Sequence, residues 1–149
     1  MKIFATGDTH GNLERFRPEY FPEGQELTKK DVVLQLGDFG GVWFGDERDD
    51  EALDWLEGLP FTLAFVSGNH ENYDALVKYP IENWHGGRVQ PIRPHVLHLM
   101  RGQVFELAGR TFFTMGGANF VPDENHCCSF CGYSFQADSA KWVVQTGQV

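Results

Sequence analysis

The stretch VVLQLGDFGG, residues 32–41, joins an apolar run to an aspartate that is flanked by glycines. Two other runs end in a similar way, MKIFATGDTHG at residues 1–11 and FTLAFVSGNHE at residues 61–71. Short runs that are almost entirely apolar are typical of strands in a parallel sheet, because both faces of such a sheet are covered. We therefore predict strands at residues 2–6, 31–36 and 61–66, each followed by a polar loop.

The segments between these runs have helical features. DDEALDWLEGL, residues 49–59, begins with acidic residues and has a glycine near its end, and both features mark helix boundaries. Four apolar residues in it follow helical spacing: Ala52, Leu53, Leu56 and Leu59. A second helix is predicted over residues 71–79, with Tyr73, Leu76 and Val77 facing inward, because Pro80 would stop it. Strands that alternate with helices indicate a βαβ arrangement and an α/β fold.

The pattern changes after residue 84. Residues 84–94 have the composition of a loop, and residues 95–118 have the pattern of three short strands joined by turns. Such a meander predicts a second, antiparallel sheet that packs on the first. His98 lies between two leucines in the first of these strands, and we expect its side chain to point outward.

Composition limits the class of protein. A chain of 149 residues with 42% hydrophobic and 22% charged residues is typical of one soluble globular domain. The net charge of -9 argues against non-specific binding of nucleic acid, which depends on clustered lysine and arginine. A phosphate-bearing substrate would therefore need metal ions to supply positive charge.

The sequence also indicates a compartment. Three cysteines cluster at positions 127, 128 and 131, and an odd, clustered set is not a disulfide framework. We find neither a signal peptide nor a stretch long enough to span a membrane. We therefore expect a cytoplasmic protein without a membrane partner.

Metal-binding residue types follow each of the three early strands. Asp8 and His10 follow the first, Asp38 the second, and Asn69 and His70 the third. Ligands of α/β sheets bind at the carboxyl ends of the strands, where these loops meet. Carboxylate, imidazole and amide donors suit manganese, iron or zinc, and a shared carboxylate can hold two ions close together. One Gly-Asp step alone is only a turn signal, but three strand-end motifs together predict a metal site.

With these motifs, the sequence resembles the calcineurin-like metallophosphoesterases, whose signature is Asp-x-His, then Gly-Asp, then Gly-Asn-His-Asp/Glu. Here the motifs lie at residues 8–10, 37–38 and 68–71, and residues 85–118 also resemble the middle of the bacterial and phage members. The resemblance implies a double β-sheet sandwich flanked by helices (α/β/β/α). It further implies hydrolysis of a phosphomonoester or phosphodiester by a metal-bound hydroxide at a site of two divalent ions, manganese, iron or zinc.

The resemblance also implies a role for each motif residue. Asp8 and His10 would bind the first metal, Asp38 would bridge both metals, and Asn69 would bind the second. His70 would protonate the leaving group or stabilise the phosphoryl oxygens, so that Asp38 and His70 are the candidate catalytic residues. The alternative for His70 is a solvated histidine at the start of a helix.

Substrate contacts are expected from Asn12, Arg48 and His70. Arg48 lies in the loop GGVWFGDERDDE, residues 40–51, together with Trp43 and Phe44. These side chains could stack on a nucleobase or pair with phosphate. The alternative is that Trp43 packs within the loop and that Arg48 is a solvated charge.

The end of the sequence departs from the family pattern. The family completes its metal shell with late histidines in Gly-His or Thr-His and Gly-His-x-His steps, whereas only His126 follows Gly117 here. We therefore assign residues 1–118 to a metallophosphoesterase domain and residues 119–149 to a divergent tail that leaves the second sheet incomplete. The alternative function is that of a truncated, weakly active homologue that holds one ion, binds metal or phosphate, or depends on a partner.

The tail carries a second, weaker metal motif. His126, Cys128 and Cys131, with Cys127 as another donor, have the spacing of a small zinc site. The alternative is a set of incidental thiols. An incomplete sheet would also expose an edge, which favours pairing with a second copy or with a partner chain.

Overall fold

The computed structural model describes residues 1–116, so the predicted boundary at 118, the tail and its zinc motif lie outside the described residues. The elements are β1 (Ile3–Gly7), β2 (Val32–Leu36), α1 (Asp50–Glu57), β3 (Thr62–Val66), α2 (Tyr73–Leu76), β4 (Glu82–Trp84), β5 (Gly87–Arg93), β6 (Val96–Leu99), β7 (Gln103–Leu107) and β8 (Arg110–Thr114). Short 3-10 helices cover Leu13–Phe16 and Pro22–Glu26. None of the helices between residues 1 and 116 has the length and apolarity needed to cross a lipid bilayer.

Six strands form one mixed sheet in the order β1-β2-β3-β6-β5-β4. The three early strands are adjacent and parallel, as predicted, and β6 continues the parallel part beside β3. All five residues of β3 are buried, because the sheet is covered on both faces. The carboxyl ends of β1, β2 and β3 therefore meet at one edge of the sheet.

Each face of this sheet has its own core. One face packs against α1, α2 and the first 3-10 helix through apolar side chains that include Phe16, Leu53, Leu56, Leu76 and Phe65. The other face packs against the two-stranded sheet of β7 and β8 through Phe105, Leu107 and Phe112. Two stacked sheets with helices on one outer face confirm the calcineurin-like α/β class within the described residues.

The predicted three-strand meander is wrong in its first strand. β6 pairs in parallel with β3, with Val66 opposite Leu99, and so belongs to the large sheet. All four residues of β6 are buried, whereas β7 and β8 alternate between buried and exposed positions. A strand that is buried on both faces needs a central place, and His98 consequently points into the protein, where its ring stacks on Phe65.

Residues 84–94 are also not a loop. They contain the end of β4 and the whole of β5, which form a hairpin around His85 and Gly86. Both turn residues have positive φ, 47° and 91°, as the tight two-residue hairpin turns require. Pro91 made this strand hard to recognise in the sequence, because proline is rare within strands. The pairing register shifts between Pro91 and Arg93.

The helix predicted over residues 71–79 is shorter than expected. α2 begins after Asn72, whose side-chain oxygen accepts a hydrogen bond from the Ala75 N–H. Leu76 is buried as predicted, but Val77 is 55% exposed and does not face the core. The residue before the cap, Glu71, is therefore outside the helix and available to the motif loops.

Candidate functional site

The loops after β1 and β2 are joined by backbone hydrogen bonds. The N–H groups of Asp8, His10 and Gly11 donate to the carbonyls of Gly37, Asp38 and Phe39 over 3.2, 2.7 and 3.0 Å. Parallel neighbours thus continue their pairing beyond the strand ends. These backbone hydrogen bonds alone hold the first two motif loops side by side.

The third motif packs directly on the Asp38 carboxylate. The backbone N–H of His70 donates to Asp38 Oδ1 over 2.8 Å. A Cβ added at Gly68 would lie 2.0 Å from the same oxygen, so this position has room only for glycine. Asp38 is buried, and its carboxylate orientation is set by the loop that carries the third motif.

Three side chains from the motifs form a possible ligand group. The nearest donor atoms of His10, Asp38 and His70 all lie within 4.8 Å of one another. His10 Nε2 lies 3.5 Å from Asp38 Oδ2, and the two imidazole rings meet edge to face with centroids 5.4 Å apart. Two imidazoles and one carboxylate are a donor set that suits zinc, manganese or iron. These residues therefore fit a divalent cation.

The group differs from the ligand set that the sequence suggests. His70, expected as a proton donor, lies among the possible ligands, whereas the exposed Asp8 is not one of the three. Asn69 is half-buried in the loop that follows β3. The ligand roles of Asp8 and Asn69 stay predictions.

Backbone strain is concentrated at this site. Asp8, His10 and Asp38 have φ values of 52°, 47° and 49°, which lie in the left-handed region. For residues with a Cβ this conformation costs about 1–2 kcal/mol each. Strain of this kind persists where the surrounding structure imposes it, often at functional sites. Here the inter-loop hydrogen bonds impose it.

Glu71 is a site residue to which the sequence assigns no role. The residue is 7% exposed, and its carboxylate accepts N–H bonds from Phe39 at 2.6 Å and from Gly40 and Gly68 at 3.3 Å. Burial raises the pKa of Glu71 to about 7, although these N–H donors oppose the shift. Glu71 thereby joins the second and third motif loops. The only sequence signal for it is its place as the last residue of the third motif.

Tyr73 and Arg101 form a second support that the sequence does not reveal. The Tyr73 hydroxyl donates to the Gly68 carbonyl, and Arg101 Nη2 donates to the same hydroxyl. The guanidinium also lies 4.9 Å from the centre of the Tyr73 ring. Arg101 follows β6, so its strand delivers it to the edge of the sheet that carries the motifs. Burial raises the pKa of Tyr73.

Two of the expected substrate-binding residues have polar contacts within the chain. The Asn12 side-chain oxygen accepts the N–H of Glu14 over 3.2 Å and so caps the first 3-10 helix. The Arg48 guanidinium donates two hydrogen bonds to Asp46, of 2.8 and 2.6 Å, and lies 4.1 Å from the Phe44 ring centre. Substrate contacts by Asn12 and Arg48 stay predictions.

A cavity of about 410 Å³ opens beside the ligand group. His10 and His70 line it, and the loop after β2 contributes Trp43, Phe44 and Arg48 to the same lining. A bound molecule could therefore reach both the imidazoles and the aromatic loop.

Comparison with known proteins identifies the family. A family model described as calcineurin-like phosphoesterase matches residues 1–146. Neither the curated proteins nor the solved structures contain a significant match. Because the family model covers almost all of the 149 residues, and because its three motifs meet at one edge of the expected sheet, this chain belongs to the calcineurin-like phosphoesterase family.

Proposed function

We propose that this protein is a metal-dependent phosphoesterase that hydrolyses a phosphomonoester or a phosphodiester. Family membership supports the reaction class. The observation that carries the proposal is the group of His10, Asp38 and His70, with donor atoms within 4.8 Å of one another. Divalent ions bound there would supply the positive charge that activates water and neutralises phosphoryl oxygens.

The cofactor proposed is a pair of divalent ions, manganese, iron or zinc. Asp38 is the proposed bridging ligand, with Asp8 and His10 on one ion and Asn69 on the other. The placement of Asp38 supports this role, because its carboxylate is buried, faces His10 at 3.5 Å and accepts the His70 N–H. The net charge of -9 makes cations necessary for an anionic substrate to approach.

His70 is the proposed proton donor to the leaving group. Its side chain is exposed and borders the cavity, so it can meet a substrate. Imidazole is the side chain that enzymes use most often for this purpose. The same geometry allows His70 to be a metal ligand, and the two roles differ in their consequences. In His70→Ala, loss of a ligand lowers metal content, whereas loss of the acid lowers turnover at unchanged metal content.

A second candidate function is metal or phosphate binding with little turnover. The observation that favours it is the size of the ligand group, which has three members in residues 1–116, together with the single histidine after Gly117. A site with few ligands holds its ions weakly. Binding without hydrolysis is the expected behaviour of such a site.

The proposed surroundings are those of a cytoplasmic protein whose partner is a phosphate-ester substrate. The clustered cysteines support the reducing compartment. β1 lies at one edge of the six-stranded sheet of the described residues, and this supports pairing with a second copy or a partner chain.

The test is hydrolysis of bis(p-nitrophenyl) phosphate by the full chain with added manganese, accompanied by elemental analysis of bound metal. We expect manganese-dependent turnover that Asp38→Asn abolishes, and metal binding that the same variant weakens. Asp54→Asn is the matched control, because this carboxylate is exposed on α1 and bonds to Arg93. Equal turnover in Asp38→Asn and the unmodified protein would overturn the proposal. Metal that binds through Asp38 without turnover would favour the second candidate.

A further inference from the structure

The cavity beside the ligand group has an aromatic wall. Its volume of about 410 Å³ is at the small end of the range of about 300–1,000 Å³ for ligand pockets. The side chains that line it include His10 and His70 of the motifs and the aromatic residues Trp43 and Phe44. The space suits one small molecule that touches the motif histidines and the aromatic side chains together.

A buried carboxylate holds this wall in place. Asp49 is 6% exposed, and its Oδ2 accepts the N–H groups of Trp43, Phe44 and Gly45 over 3.1, 3.0 and 2.7 Å. Gly45 has φ of 73°, and a Cβ there would lie 2.7 Å from the Cβ of Ala75. The loop thus has a defined conformation that packs closely on α2.

The wall is also tied to the third motif. Asn72 donates from Nδ2 to the Trp43 carbonyl over 2.6 Å, while its Oδ1 accepts the Ala75 N–H over 3.0 Å. Asn72 lies two residues after His70, so one side chain connects the aromatic wall to the motif loop. Pre-organisation of this kind reduces the ordering cost when a ligand binds.

The aromatic residues of this wall, Trp43 and Phe44, line the cavity and carry no charge. Arg48 is the cationic residue among those that line the cavity, and both hydrogen bonds of its guanidinium go to Asp46, at 2.6 and 2.8 Å. Its guanidinium lies 4.1 Å from the Phe44 ring centre. A ligand with a second phosphate group would gain little binding energy from a cation that is already paired with a carboxylate. A ligand with an uncharged planar ring would gain stacking surface on the aromatic wall.

We propose that the cavity selects phosphoesters whose organic part carries a nucleobase, which stacks at Trp43 while the phosphate lies at His10, Asp38 and His70. This inference rests on the proposed function, because it needs the phosphate at the metal group. Stacking of bases on aromatic side chains is tolerant of base identity, so any nucleotide is accepted. Sugar phosphates and aliphatic phosphodiesters lack the planar ring and bind less well.

The test compares AMP with ribose 5-phosphate, which lacks the base, by titration calorimetry on the manganese-loaded full chain. We expect AMP to bind at least about fivefold more tightly, as stacking of one base implies. Trp43→Leu, which keeps apolar bulk without a ring, should bring the affinity ratio close to one, and Trp43→Phe should keep most of the preference. Trp55→Leu is the matched control, because Trp55 on α1 is 37% exposed against 39% for Trp43.

Equal affinities for the two compounds in the unmodified protein, or a ratio that Trp43→Leu leaves unchanged, would overturn the inference. Hydrolysis of bis(p-nitrophenyl) phosphate by the same samples separates this failure from that of the proposed function. Hydrolysis with no preference for AMP removes only the nucleobase inference. Absence of hydrolysis and of manganese-dependent binding of both compounds removes both proposals.

Discussion

Two histidine–carboxylate pairs lie at opposite ends of the parallel strands, and their geometry differs. At the amino-terminal end of β6, His95 Nδ1 lies 2.6 Å from Glu57 Oε1, and the His95 N–H donates to Glu57 Oε2 over 2.7 Å. At the carboxyl ends of β1 and β2, His10 Nε2 lies 3.5 Å from Asp38 Oδ2, which is longer than a hydrogen bond. The first pair is closed on itself, and the second leaves room for a cation between its atoms.

The surroundings of the two pairs also differ, and the difference agrees with their geometry. Burial alone would raise the pKa of Glu57, but hydrogen bonds from His95 and the nearby Lys29 charge lower it. His10 and Asp38 instead have left-handed backbones and a third donor, His70, within 4.8 Å. The same residue types therefore stabilise the fold at one end of the sheet and form the candidate metal site at the other.

The largest expected difference between the two pairs is in activity. Asp38→Asn should lower manganese-dependent hydrolysis at least about 100-fold, because it removes the negative charge of a proposed metal ligand. Glu57→Gln should leave the rate within about twofold and lower the free energy of unfolding by about 1–2 kcal/mol, because it weakens hydrogen bonds to a charged group. Initial rates and urea unfolding measure the two effects. A comparable loss of rate in Glu57→Gln would contradict the separation of the two ends.

Substitution of the glycine that packs on Asp38 should distort the candidate site by moving its backbone. Gly68→Ala places a Cβ 2.0 Å from Asp38 Oδ1 and 2.3 Å from the Asp38 nitrogen, so the two motif loops must separate. We expect a loss of about 3 kcal/mol in unfolding free energy and weaker metal binding. Gly102→Ala is the control, because nothing lies within 4 Å there and only its φ of 69° costs energy, about 1 kcal/mol. Equal losses in the two variants would show that the contact with Asp38 is unimportant.

A third histidine, His98, lies between the two ends and should report mainly on burial. Its Nδ1 meets Gln90 Oε1 at 2.8 Å, and Gln90 Nε2 donates to the Leu76 carbonyl, so the imidazole donates from Nδ1. Its buried Nε2 has no hydrogen-bond partner among the described residues. Burial, aided by the Arg101 charge, lowers the pKa of His98 to about 4.

The folded protein therefore resists protonation of His98, while the unfolded chain accepts the proton near the ordinary histidine pKa. The stability contributed by His98 is present above about pH 6.5, is lost as the pH falls, and stops changing below about pH 4. Between pH 7.5 and pH 5 we expect a loss of about 2 kcal/mol that His98→Gln does not show. Urea unfolding of both proteins at the two pH values measures it, and parallel pH profiles would contradict it.

The smallest effect is expected for Tyr73, which supports the candidate metal site. Tyr73→Phe removes the hydroxyl that joins the Gly68 carbonyl to Arg101, at a cost of about 1 kcal/mol in unfolding free energy. We also expect metal affinity to fall a few-fold, because the loop that orients Asp38 becomes looser. Tyr20→Phe is the control at an exposed ring. Metal titration of both variants is the measurement, and identical affinities would limit Tyr73 to a role in stability.

The sequence by itself determined the early strands, α1 and the family motifs. Runs such as VVLQL allow little except a strand covered on both faces, and the polar residues that follow them fall at one sheet edge by the geometry of parallel strands. His10, Asp38 and His70 could be named from the motifs for this reason. The motifs do not predict which of these three residues would bind metal and which would donate a proton, because the distances between donor atoms depend on loop conformations that the motif sequences do not specify.

Only the tertiary structure decided which sheet each later strand joins and which polar side chains support the site. β6 is buried on both faces once it pairs with β3 in the large sheet, and β3 is far from it in the sequence. The supporting side chains also depend on tertiary contacts, because these contacts join the motif loops to one another and to the elements around them. These residues are Glu71, Asn72, Tyr73 and Arg101. Local sequence patterns report periodicity and turn chemistry, whereas these contacts exist only once distant segments are brought together.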